Sequence, residues 1–297
     1  MLKTVRRALP AAAAFAATAL LAFVAATAHA QDTSIRVGGS TTALPIISNC
    51  AAHFMDKYTS WDKADASLGK DATVVYVTGG GSGFGVKGLM NGTIDLGMVS
   101  RDLKDTEVKA LNQPVVQVFA RDAVAIATST TSPLSRTKPG FTSAELAGIF
   151  SGQMEQFSHI DSKLPAKTMV LLTRDASGGV TEIFQERVMK QQRLAAGRLQ
   201  FPSTAALIKK LETNDAAIAF VSAGAVSQDT ALRTYAVDGV MPTQENIVNG
   251  KYALNRPMLL VTKPNAPRKV QAFMDFVLGD CQATVREMGF VSVRAGR

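Results

Sequence analysis

The sequence is poor in the residues that metal centres and most nucleophilic enzymes draw on. Its 297 residues hold two cysteines, one tryptophan and three histidines. Two cysteines cannot build a disulfide-dense scaffold or a four-thiolate zinc site. His29 belongs to the leader described below. That leaves His53 and His159, neither of which neighbours Cys, Asp or Glu at a metal-ligating spacing. The pattern calls for no cofactor. Aromatic residues make up 6% of the chain, and no Lys/Arg block interleaves with them, which argues against nucleic acid. After residue 31 there is no internal repeat, no low-complexity segment, and no apolar run long enough to cross a bilayer.

The N-terminus has a recognisable plan. Lys3, Arg6 and Arg7 precede an apolar, small-residue run over 11–26, and Ala28-His29-Ala30 fits a small-x-small cleavage site. Cleavage after Ala30 leaves a 267-residue chain beginning at Gln31, and removing the three leader cations lowers the formal charge from +8 to +5. No Cys follows the site, so export without a lipid anchor is expected. A mild positive field steers small anions. Cys50 and Cys281 each fall on an apolar stripe of a predicted helix, with Ile46, Ile47 and Phe54 and with Phe273, Val277 and Val285. Two buried thiols and one disulfide both fit that placement.

Short strands alternate with helices, which points to an α/β class. Strands are predicted over 35–37, 73–77, 94–99, 115–127, 168–172, 216–221 and 258–261. Helices are predicted over 43–58 (with Pro45 in its first turn), 84–91, from 105, 142–150, 181–192, 203–212 and 266–288. Pro133 to Gly140 reads as the clearest loop and as the entry to a second lobe.

Four strand–turn–helix junctions share one chemistry: Gly39-Ser40-Thr41-Thr42, Gly80-Gly81-Ser82-Gly83, Ser100-Arg101-Asp102, and Arg174 to Thr181. Each sets hydroxyls and unpaired amides at the carboxyl end of a strand, where open α/β sheets bind ligands. The Arg174 segment is the richest. A cation opens it, Ser177-Gly178-Gly179 turns the chain, and Thr181 lies in the first turn of an amphipathic helix. Helix amides, the helix dipole and a guanidinium fork together make an anion trap. One hydroxyl before a helix is an ordinary cap; four such junctions, two with an arginine, point to a site.

The ordered set resembles the phosphate-binding proteins of ABC transporters, a periplasmic family of solute receptors. The matching pieces are Gly39 to Ile46, Thr78 to Gly83, Asn91 to Gly97, Ser100-Arg101, the Arg174 segment, Thr142 to Gly152, and Val237 to Asn246 with Lys251-Tyr252. Together they span nearly the whole mature chain. The resemblance implies a two-lobed type II periplasmic-binding fold, each lobe a mixed sheet flanked by helices. Two crossing strands, near 120–127 and 257–261, would form the hinge. It implies lobe I over 31–123 and again over 257–297, with lobe II over 124–256. The last helix would then return Cys281 to the lobe of Cys50. It implies a periplasmic, non-enzymatic monomer that takes phosphate and delivers it to an inner-membrane permease. Carried onto this chain, the ligand set is Ser40, Thr41, Thr42, Ser82, Ser100 and Arg101 from lobe I, with Arg174, Ser177, Gly178, Gly179 and Thr181 from lobe II. Two positions depart from the family pattern. Gly178 stands where a serine is usual, and Val180 where a threonine is usual. Ser100-Arg101 stands where some members carry a carboxylate that accepts the proton of hydrogen phosphate and repels sulfate. The same fold serving sulfate, molybdate, arsenate or a phosphonate, or acting as a sensor, is therefore the alternative.

Three competing motifs fall short. Gly83-Phe-Gly85-Val-Lys-Gly88 has the dinucleotide spacing, but in a stretch so glycine-rich that chance supplies it. Gly80-Gly-Ser82-Gly-Phe84 lacks the last glycine of a nucleophile elbow. Ser135-Arg-Thr-Lys138 lies between Pro133 and Pro139, where the helix that motif needs cannot form. An exported phosphoester hydrolase would need a nucleophile–base pair or a metal cluster, and the sequence offers neither.

Overall fold

The computed structural model describes residues 34–176 and 178–293. The leader, the cleavage site after Ala30, and Ser177 lie outside the described residues. In chain order the elements are β1 (Ser34–Gly39), α1 (Leu44–Lys57), α2 (Trp61–Ala64), β2 (Val74–Gly79), α3 (Ser82–Asn91), β3 (Leu96–Val99), α4 (Asp105–Ala110), β4 (Val115–Ser129), β5 (Gly140–Phe141), α5 (Ser143–Ser151), β6 (Val170–Arg174), α6 (Gly179–Phe184), β7 (Leu199–Phe201), α7 (Thr204–Glu212), β8 (Ala217–Ser222), α8 (Ala223–Val226), β9 (Leu232–Val237), α9 (Gln244–Val248), β10 (Asn255–Thr262), α10 (Arg268–Leu278), α11 (Gln282–Glu287) and β11 (Val291–Ser292).

The strands run β2-β1-β3-β10-β4-β8-β6-β7 across one curled mixed sheet. The long strand β4 makes the fold two-lobed. Up to Ala123 it pairs antiparallel with β10; from Val124 onward it pairs with β8 and then β9. On one side, parallel β2, β1 and β3 carry α1 and the C-terminal helices. On the other, parallel β6 and β8 carry α5, α6 and α7. The central strands β3 and β8 are buried along their whole length, as strands covered on both faces require, while the outer strand β2 leaves Tyr76 exposed.

Each lobe buries its own core. In lobe I, Phe54 packs edge-on to Phe273 and Phe276 and lies against Trp61. In lobe II, Phe184 stacks on Phe220 at 4.1 Å and meets Phe150 edge-on. Full burial of each such ring contributes about 1.5–3 kcal/mol, so each lobe holds together on its own packing. Cys50 on α1 and Cys281 at the start of α11 form a disulfide, with Cα atoms 5.7 Å apart, that ties the returning C-terminus to lobe I.

Three predicted elements differ in the structure. The helix expected over 181–192 starts earlier, at Gly179, and passes into a π-helical turn over Gln185–Met189. The wider turn lets the adjacent Val188 and Met189 both reach the core, and the segment stops at Lys190 with φ +54°. The single helix expected over 266–288 breaks at Gly279–Cys281 into α10 and α11. Gln282 Nε2 stabilises the break by donating to the carbonyls of Val277 (2.8 Å) and Phe119 (3.0 Å). The segment expected as a loop at Pro133 to Gly140 opens with a 3₁₀ turn over Pro133–Arg136, and the chain has already left lobe I along β4. The dinucleotide-like glycines Gly83, Gly85 and Gly88 lie inside α3, not in a phosphate loop. A Cβ on Gly85 would sit 2.8 Å from the Met98 carbonyl, so that glycine serves helix–sheet contact.

Candidate anion site at the junction of the lobes

Three lobe I junctions meet at the carboxyl ends of β1, β2 and β3. Gly39 ends β1 at φ +140°, and a Cβ there would fall 2.1 Å from the Met98 carbonyl, so only glycine lets β1 close on β3. The next residue, Ser40, accepts from the amides of Thr42 and Ala43 at 3.2 Å and caps the approach to α1. Its hydroxyl also meets that of Ser100. Ser82 Oγ accepts from the Ser100 amide at 3.0 Å. Ser40, Ser82 and Ser100 are all buried.

Lobe II brings Arg174 to the same place. It is the last residue of β6, and burial leaves its side chain 2% exposed. Nε donates to the Phe201 carbonyl (3.0 Å) and Nη2 to that of Pro202 (2.9 Å). Nη1 crosses to Thr41 of lobe I and lies 3.4 Å from Thr204 Oγ1. The nearest carboxylate, Asp175, stands 3.5 Å off and is partly exposed. Burial pushes the pKa of the Arg174 guanidinium down, Asp175 pulls it back up, and the charge of Arg256 lowers it again. A guanidinium does not deprotonate in proteins, so Arg174 is a buried cation whose carboxylate partner, Asp175, stands at the edge of hydrogen-bond reach.

The other expected residues are placed with different consequences. Gly178 and Gly179 start α6, and Gly179 lies against lobe I: a Cβ there would meet the Ser100 carbonyl at 2.8 Å and Ser82 Oγ at 2.9 Å. Thr181 turns its hydroxyl back to donate to the Arg174 carbonyl at 3.1 Å, which fixes the strand-to-helix turn. Val180 packs into the lobe II core. Arg101 is engaged by carboxylates. Nη1 and Nη2 each reach Glu107 at 2.8 Å, and Nε meets Glu182 of α6 across the cleft. Lys104 Nζ adds a 3.0 Å contact to Glu182. Burial alone would raise the pKa of Glu107; the Arg101 guanidinium and the Lys104 amide outweigh it and hold the carboxyl below the usual range.

Three functional candidates were not foreseen. Thr204 Oγ1 meets Thr42 Oγ1 at 3.2 Å across the lobes. Its signal was present, because Ser203-Thr204 after β7 is a fifth strand–turn–helix junction of the same kind. Arg256 and Asp122 are cross-strand partners on β10 and β4, joined at 2.6 Å with both side chains fully buried. Their only sequence signal was charge inside apolar strands: Arg121 and Asp122 in β4, and Arg256 in β10.

Two cavities flank this cluster. One of about 590 Å³ is walled by Thr41, Thr42, Thr204, Leu44 and Phe290 among others; one of about 860 Å³ is walled by Arg101, Lys104, Glu182 and Arg198 among others. Neither has Ser82, Ser100, Arg174 or Arg256 in its walls, so these four lie in the buried seam, while Thr41, Thr42 and Thr204 also border the smaller opening. Among the described residues no three His, Cys, Asp or Glu side chains group as metal ligands, and no helix is long and apolar enough to cross a membrane. His53 and His159 are both exposed.

Comparison with known proteins gives a consistent picture. A family model described as a PBP superfamily domain matches residues 24–280. The phosphate-binding protein PstS of Staphylococcus saprophyticus is 26% identical over 274 residues, covering 87% of this chain and 80% of that one. Protein SphX of Synechococcus elongatus is 26% identical over 297 residues, covering 94% and 83%. A protein from Clostridium perfringens, described as a phosphate ABC transporter substrate-binding protein and solved with bound phosphate, superposes with a TM-score of 0.76. It shares 26% identity over 88% of this chain and 100% of that one. The fold is shared as well with an ABC-type phosphate transport receptor from Vibrio cholerae, at 24% identity and a TM-score of 0.67 over 86% and 99% of the two chains.

Proposed function

This chain belongs to the PBP superfamily, and from that premise we propose that it is an exported, monomeric solute-binding protein. It captures phosphate between its two lobes and delivers it to the permease of an ABC transporter. The single observation that carries the reading is Arg174, a buried guanidinium at the lobe junction that donates to the Phe201 and Pro202 carbonyls, faces Thr41 of the opposite lobe, and meets the partly exposed carboxylate of Asp175 at the long distance of 3.5 Å. Such a cation is costly to bury alone, and an oxyanion offsets that cost through charge-assisted bonds in a water-excluded cleft.

In this reading Ser40, Thr41, Thr42, Ser82 and Ser100 donate from lobe I, and Arg174, Ser177 and the Gly179 amide at the start of α6 donate from lobe II; the Gly178 amide already donates to the Asp175 carbonyl at 3.1 Å, so Gly178 shapes the turn. Thr204 joins them. Arg101 and Thr181 have different parts. Arg101 latches the lobes through Glu182, and Thr181 shapes the turn behind Arg174. A lobe boundary at 123/124 fits the change of strand partners along β4, whereas β10 keeps β4 as its partner from Asn255 to Thr262 across the proposed boundary at 256/257. Ligand binding favours the closed state because contacts to both lobes exist only there.

The test is isothermal titration of the mature protein, freed of ligand by unfolding and refolding, first with phosphate and then with sulfate. Tight phosphate binding without sulfate heat is the expected result. Sulfate binding, or binding of neither, would show that Gly178, Val180 and Ser100-Arg101 mark a site tuned to another ligand.

A further inference from the structure

Asp122 and Arg256 are the most deeply buried charges in the molecule's hinge, and neither has a part in the reading above. They face each other as Cα partners where β4 and β10 cross between the lobes. Arg256 Nε and Nη2 both reach Asp122 Oδ2, at 3.1 and 2.6 Å. The other Asp122 oxygen accepts from the Gly224 amide of α8, in lobe II, at 2.9 Å. The rest of the guanidinium points into lobe I. Nη1 donates to the Ser100 carbonyl at 3.2 Å, and Nη2 donates to Thr42 Oγ1 at 3.3 Å. The pair therefore anchors in one lobe and reaches the binding junctions of the other.

We infer that Arg256, held by Asp122, is a positioning residue that sets the hydrogen-bond polarity of the cleft floor in favour of an anion. This rests on the oxyanion reading and deepens it. A guanidinium has only donors. Where Arg256 meets Thr42, the threonine oxygen must accept, so its proton is directed away, toward Thr204 or a bound anion. Where Arg256 meets Ser100, it occupies a carbonyl that faces the lobe seam, 2.8 Å from where a Cβ of Gly179 would lie. Left alone, that carbonyl would present a negative end to the ligand. One side chain thus converts an ambivalent hydroxyl into a donor and masks an acceptor. Asp122 keeps the fork in register, and its own oxygens are spent on Arg256 and Gly224, so it does not present a bare carboxylate to the anion.

The experiment separates this role from simple structural support. Removing one partner strands a buried charge, whereas replacing both by apolar residues of similar volume is often neutral for folding. The mature double variant Asp122→Leu/Arg256→Met is expected to unfold at nearly the wild-type temperature yet bind phosphate roughly 10- to 100-fold more weakly. Thr42→Val should weaken binding in the wild type and add nothing in the double variant, because Thr42 acts as a committed donor only when Arg256 is present. Wild-type affinity in the double variant, or an equal effect of Thr42→Val in both backgrounds, overturns the inference. Should the double variant fail to fold, Arg256→Lys carries the test. It keeps the charge beside Asp122 but lacks the fork that reaches Thr42 and Ser100 together, so undiminished phosphate affinity there also overturns it. Failure of the function reading looks different. If the wild type binds sulfate in place of phosphate, the phosphate reading falls and the same cycle is run with sulfate. If the wild type binds no oxyanion, both fall.

Discussion

Gly179→Ala probes the closed geometry directly, because it adds one methyl group where lobe II touches lobe I. The new Cβ would lie 2.8 Å from the Ser100 carbonyl oxygen and 2.9 Å from Ser82 Oγ, while ordinary contact begins at 3.4 Å. The lobes would have to separate by about 0.6 Å along that line, the shortfall between 3.4 and 2.8 Å. Neither neighbour moves cheaply. The Ser100 carbonyl is held by Arg256 at 3.2 Å, and Ser82 Oγ is held by the Ser100 amide at 3.0 Å. Overpacking of this kind costs about 1–3 kcal/mol, and here the cost falls on the closed state alone. Gly179 has an ordinary helical setting at the start of α6, so alanine leaves lobe II itself unstrained. Phosphate affinity should therefore fall by roughly 5- to 150-fold by titration calorimetry, while the unfolding temperature of the ligand-free protein stays near wild type. Gly197→Ala, with nothing within 4 Å of its added Cβ, is the matched control and should bind normally. Wild-type affinity in Gly179→Ala would mean that the bound lobes do not meet at this seam, and the closed-cleft account of binding would be refuted.

Four further outcomes follow from the same geometry. Arg174→Ala should cost about 2–5 kcal/mol of phosphate binding, the scale for a broken buried charge contact; calorimetric affinity equal to wild type would dismiss Arg174 as the anchor. Glu182→Gln removes the ion pairs to Arg101 and Lys104 that cross the cleft, and should weaken binding by about 1–2 kcal/mol with little change in ligand-free stability; an unchanged dissociation constant would rule out a latch. The Arg101–Glu107 pair gives a pH dependence of defined sign. The folded carboxyl titrates below the unfolded value of about 4.3, so its contribution is present above that pH and is lost as the pH falls through the folded pKa. Denaturant midpoints should drop more steeply below pH 4 in the wild type than in Glu107→Gln, and parallel curves would count against it. Replacing both Cys50 and Cys281 by Ser opens a loop of 231 residues, for which chain entropy gives about 5 kcal/mol as an upper figure. Stability by denaturant titration should fall markedly while phosphate affinity survives, since the bridge lies in the lobe I core, away from the cleft.

What the sequence determined by itself was local. The alternation of apolar runs with glycine- and hydroxyl-rich turns marked the strand–turn–helix junctions, because capping and turn chemistry act over a few residues. Gly39-Ser40, Gly81-Ser82 and Arg174 to Thr181 therefore announced themselves as helix starts with donors to spare. Element ends were less legible: the π turn after Phe184 and the break at Gly279 depend on which side chains the core accepts, not on propensity. Roles within the site were not legible either. Thr181 and Arg101 have the right chemistry for an anion, yet the tertiary structure gives the hydroxyl to the Arg174 carbonyl and the guanidinium to Glu107 and Glu182. Asp122 and Arg256 are 134 residues apart and became a pair only through the antiparallel register of β4 and β10. Cys50 and Cys281 likewise needed α1 and the C-terminal segment to be folded against each other. Donors can be counted along a chain. Which partner each one meets depends on distances between distant segments, and those are set only when the two cores pack and the lobes close.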